Sequence, residues 1–125
     1  MMEAVKLIAR IELGDDFRPK RVPKTQLQEA LNKAELDKTS DPLQRLLGNQ
    51  VLEQKDIGAG TLIAFALDPI AEYAAAFAHA RDSGRDEKRW DELWGRVADQ
   101  GENAAGFSEA LRVVHEIYAR DFGWP

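Results

Sequence analysis

QVLEQKDIGAGTLIAFAL, residues 50–67, is the stretch whose reading decides the fold. Gly58-Ala59-Gly60 supplies turn backbone, and Leu62, Ile63 and Phe65 suit a strand. The stretch therefore predicts a hairpin, with arms Gln50 to Gln54 and Thr61 to Leu67. The rival reading starts a helix at Thr61, kinks it at Pro69 and leaves a mostly α protein.

Upstream, Val5, Leu7, Ala9, Ile11 and Leu13 alternate with Lys6, Ile8, Arg10 and Glu12, a period of two that predicts an N-terminal strand. Gly14-Asp15-Asp16 ends it. Pro19 and Pro23 then hold the chain extended up to Thr25-Gln26-Leu27-Gln28, which has the form of a capping box and opens a helix burying Leu27, Ala30, Leu31 and Ala34. A short helix follows from Asp41-Pro42, burying Leu43, Leu46 and Leu47 before Gly48-Asn49.

Downstream of the hairpin the chain reads helical in three pieces. The first, about 69–82, is alanine-rich, with Tyr73 and Phe77 one turn apart. In the second, about 86–99, Trp90, Leu93, Trp94, Val97 and Ala98 fall on one stripe. The third runs from a cap at Ser108 to about Asp121. The expected fold is a single α+β domain over residues 1–125, with the N-terminal strand and central hairpin in a small antiparallel sheet covered by helices.

The 125 residues carry 17 basic and 22 acidic side chains, a net charge of -5, and no cysteine. Disulfides, thiolate metal sites and cysteine nucleophiles are thereby excluded. All the excess negative charge lies in residues 61–125, with nine of the ten aromatics. The start of the chain has no apolar core of a secretory signal, which points to the cytoplasm. Asp68, Pro69, Glu72 and His79 interrupt the one long apolar stretch, which argues against a membrane span.

Catalytic chemistry is hard to assemble from this composition. His79 and His115 stand on different expected helices and in no metal-ligand motif, and His79, near a helix C-terminus, suits an imidazolium. Ser40, Ser83 and Ser108 are explained as caps or turns. Gly58-Ala59-Gly60 lacks the rest of a phosphate-binding loop. No enzyme activity, metal or cofactor is expected.

What remains is binding. The expectation is a protein-interaction domain, a small regulator, adaptor or inhibitor, with a protein partner or a second copy of itself as a homodimer. Its surface would be acidic and Trp-bearing, built from Asp86, Glu87, Trp90, Asp91, Glu92 and Trp94 with Trp124 of the tail, in one version mimicking nucleic acid. The alternative is a nucleic-acid-binding regulator using Arg18, Lys20, Arg21 and Lys24, four cations beside Phe17. The overall acidity speaks against that alternative, and only residues 18–24 keep it open.

Overall fold

The computed structural model describes residues 2–36 and 41–125. Residues 2–13 are a helix, α1 (Met2–Leu13), where alternation predicts a strand. The same letters satisfy both periods. Ala4, Ile8, Ala9, Glu12 and Leu13 are the buried set, at helical spacing, and Ile8 was already a flaw in the alternating pattern. Ala, Leu, Glu, Lys and Arg are also good helix formers, so local preference agrees with tertiary packing.

The sheet survives this correction because another segment takes the missing edge. β1 (Val22–Pro23), β2 (Leu52–Asp56) and β3 (Thr61–Phe65) form an antiparallel sheet in the order β1-β3-β2. Val22 stands opposite Ile63, and Leu52 opposite Phe65. Pro23 is tolerated because it lies on an edge strand. The hairpin turns through Gly58 at φ 68°, with the Ile57 amide donating to the Gly60 carbonyl at 2.9 Å. Ile63 and Phe65 face the core, whereas β2 beyond Leu52 is exposed.

Helix accounts for most of the remainder. α2 (Lys24–Lys33) begins one residue before Thr25 and has Pro23 as its cap residue, so the Thr25 capping box is not made. α3 (Pro42–Gly48) starts as its sequence indicates, with the Asp41 carboxylate accepting from the Gln44 amide at 3.2 Å. Ser40 lies outside the described residues. α4 (Asp68–Ser83), α5 (Glu87–Gln100) and α6 (Ala105–Phe122) complete the fold. Asp86 caps α5 by accepting from the Lys88 and Arg89 amides at 3.0 and 3.3 Å. Ser108 caps nothing, because a 3-10 turn over Gly101–Ala104 runs straight into α6 and puts Ser108 inside it.

α4 is the centre. Ala71, Ala74, Ala75, Ala76, Ala78 and Ala80 are all buried, which lets α1 and α6 pack closely along it. At Gly106 in the first turn of α6, an added β-carbon would collide with the Glu72 carboxylate of α4. Exposed ion pairs, Arg10 with Asp82 and Arg81 with Glu3, run between α1 and α4 and contribute little.

Phe17 joins these layers. It follows the 3-10 turn Gly14–Asp16 in a left-handed conformation, φ 54°, and is 1% exposed. Its ring stacks on Phe107 of α6 at 4.7 Å and meets His79 of α4 edge-on at 5.5 Å. A non-glycine residue holds this backbone geometry only when its surroundings compensate. Phe17→Ala is expected to lower the unfolding free energy by ~3–5 kcal/mol in urea titrations, and a loss under ~1 kcal/mol would show that the segment is not pinned by this ring.

Candidate functional site

The burial face of α1 is apolar except at Glu12. This side chain is 1% exposed, and neither carboxyl oxygen has a hydrogen-bond partner. Burial alone pushes its pKa from 4.5 up to about 8, so the group is mainly neutral at pH 7. Glu12 lines a cleft of about 210 Å³ with Lys20 and Arg21 of the following segment, Glu53 of β2, Phe65 of β3 and Asp68 of α4. By alternation alone Glu12 is one polar partner in a strand. Only the exchange of period two for the helical period exposes it as a polar intruder on a core face.

The cationic segment 18–24 does not form a strip. Lys20 is committed to its own fold: its ammonium pairs with Asp16 and donates to the Leu13 carbonyl at the end of α1 and to the Arg18 carbonyl, the latter at 3.1 Å. That contact holds the Asp16 carboxyl below the usual aspartate range. Arg18 is exposed, Arg21 borders the Glu12 cleft, and Lys24 has become the first residue of α2. Phe17 is unavailable for stacking on a base because it is core. With Asp16, Glu53 and Asp68 alongside, phosphate would meet carboxylates at this edge.

The Trp stripe of α5 is divided in the same way. Trp90 is 2% exposed, its indole N–H donates to the Gly84 carbonyl at 2.8 Å, and its ring stacks on His115 at 3.8 Å. Trp90 is therefore core and offers no contact surface. Trp94 is half-buried and donates from Nε1 to His115 Nδ1 at 3.2 Å. With Nδ1 accepting, Nε2 carries the proton and donates to the Pro125 carbonyl. Asp86 is spent on the α5 cap. Glu87, Asp91 and Glu92 are exposed with no ion-pair partner among the described residues, but Lys88, Arg89 and Arg96 interleave with them. Trp124 is half-buried and stacks on Tyr118 at 4.4 Å, so the tail folds back on α6.

His79 is not the helix-end imidazolium that its place in the sequence suggests. It meets Phe107 as well as Phe17 edge-on, and burial, with Arg10 and Arg96 nearby, brings its pKa down to about 4. Among the described residues no three His, Asp or Glu side chains are placed to hold a metal ion. No described helix is long and apolar enough to cross a membrane.

A second surface emerges on α4 and α6. Leu67, just before α4, is 61% exposed, and Ile70 and Tyr73 follow at helical spacing, both exposed. Phe77 continues the row and touches Tyr118 of α6 edge-on at 6.3 Å. Tyr118 in turn contacts Trp124 and Phe122, the latter 55% exposed. The Tyr73 and Phe77 spacing was visible in the sequence, but its outward direction was not.

Comparison with protein-family models, curated proteins and solved structures finds no match to this chain.

Buried Glu12 and half-buried His79 give opposite pH dependences. Glu12 holds its proton to about pH 8 when folded but to 4.5 when unfolded, so its contribution to stability is full below 4.5 and is lost as the pH rises through 8. His79 takes its proton at about 4 when folded and 6.5 when unfolded, so its contribution is full above 6.5 and is lost as the pH falls through 4. Between pH 6.5 and 8 the slope from this pair belongs to Glu12. Glu12→Gln is expected to flatten it and to be more stable than wild type above pH 8 by a few kcal/mol in urea titrations. An unchanged slope would mean that Glu12 does not titrate there.

Proposed function

We propose that the chain is a non-catalytic protein-interaction domain, a small regulator, adaptor or inhibitor working in the cytoplasm. Its docking face is the apolar and aromatic row from Leu67 through Tyr73, Phe77 and Tyr118 to Phe122 and Trp124. The observation that carries this reading is the exposure of Leu67, Ile70, Tyr73 and Phe122 along one connected path, while the core retains nearly every other large apolar side chain. The remaining exposed ones among the described residues, Met2 and Ile57, sit apart, at the start of α1 and in the hairpin turn. Connected apolar patches with aromatic anchors are what protein partners bury.

This reading moves the surface expected on α5 to α4 and α6. Trp124 belongs to both versions. Glu87, Asp91 and Glu92 retain a role as exposed charges that speed encounter with a partner whose groove has a basic rim, since electrostatic complementarity acts mainly on association rate. Nucleic-acid mimicry draws no support from α5, where the signs alternate. A homodimer through the aromatic row is one form of the proposal.

Tyr73→Ala combined with Phe122→Ala removes two exposed rings and is expected to leave the melting profile near that of wild type. The pair should weaken a captured protein partner or a homodimer by about tenfold or more. Immobilised wild type and variant, compared by partner retention and sedimentation, provide the measurement. A wild type that is monomeric and retains nothing, or a variant that binds as wild type does, would overturn the reading.

A further inference from the structure

Glu12 is the one residue among the described chain whose buried side-chain oxygens lack a hydrogen-bond partner. Buried polar groups left in that condition are rare in folded proteins. Ionised, the carboxyl needs donors, and none of the described protein groups supplies one.

The lining of the cleft indicates which donors would fit. Lys20 is already tied to Asp16 and to two carbonyls, which offsets its charge. Arg21 is then set against Glu53 and Asp68, two exposed carboxylates without ion-pair partners among the described residues, and against Glu12 itself. Acceptors outnumber free donors. A cavity of about 210 Å³ suits a small molecule. A bare metal ion suits it poorly, since three ligating side chains do not converge there among the described residues.

We propose that the cleft floored by Glu12 is a binding site for a small organic cation with N–H donors, an alkyl guanidine or primary amine. Its cationic head would rest on the Glu12 carboxylate once that carboxyl, sealed beneath the cleft floor, turns toward the opening, with Glu53 and Asp68 at the rim. The site adjoins the aromatic row only at its Leu67 end, through Asp68, and does not depend on it.

Pairing with a cation favours ionised Glu12, so binding expels the proton that the free protein holds until about pH 8. The charged side chains that share the cleft with Glu12 are Lys20 and Arg21 after α1, Glu53 on β2 and Asp68 on α4.

Titration calorimetry of the full chain with agmatine, near neutral pH in two buffers of different ionisation heat, reads binding and proton release together. The expected result is release of up to one proton and an affinity that rises with pH and levels off above about 8. Glu12→Gln should lose roughly tenfold or more in affinity, together with the proton release. Asp68→Asn, at the exposed rim, should lose a few-fold while leaving the core untouched. Tetramethylammonium, which has the charge but no N–H, should bind far more weakly. No agmatine binding at millimolar concentration, equal affinity in Glu12→Gln, or equal binding of tetramethylammonium would overturn the proposal.

Discussion

The close packing of α1 and α6 against the alanines of α4 governs where every larger side chain can go. With one-carbon side chains at Ala71, Ala74, Ala75, Ala76, Ala78 and Ala80, the central helix supplies little bulk of its own. Bulk has to come from its neighbours: Ile8 and Leu13 of α1, Phe107, Leu111 and Val114 of α6, and Phe17 from the connecting loop. The larger residues of α4 that do not fit between these neighbours, Ile70, Tyr73 and in part Phe77, are displaced to the remaining open side. The interior and the exposed aromatic row are two results of one packing arrangement.

Local signals in the sequence transferred well wherever a single residue controls the backbone. Asp41 caps the helix it precedes, and Gly58 turns the hairpin. The α+β class follows from that hairpin. Signals that need a partner transferred poorly. Thr25 has the capping sequence, but Pro23 starts the helix too early for its hydroxyl to serve. The stretch from Val5 to Leu13 fits two periods, and the choice between them is made by α4, some sixty residues away.

The candidate sites show the same division. Trp90 and Trp94 stand one helical turn apart, yet one is buried against His115 and the other half-buried. Sequence spacing gives the face of a helix and not the depth at which each residue sits on it. Arg18, Lys20, Arg21 and Lys24 are close in sequence, but the end of α1 claims Lys20 and the start of α2 claims Lys24. Glu12 was legible only as a misfit, the one polar residue on the burial face of α1, and recognising a misfit requires the correct period first.

The ladder Trp90, His115, Trp94 and Pro125 has an optical consequence. One indole lies flat on the imidazole, a second donates to its Nδ1, and the opposite nitrogen donates to the tail, while Trp124 lies on Tyr118. All three indoles are therefore in contact, directly or through one ring, with the position of residues 123–125. Lifting the tail would free Trp124 into water and leave the imidazole without its carbonyl acceptor, altering emission from three sites together. The protein carries its own fluorescent gauge of whether its last turn is seated.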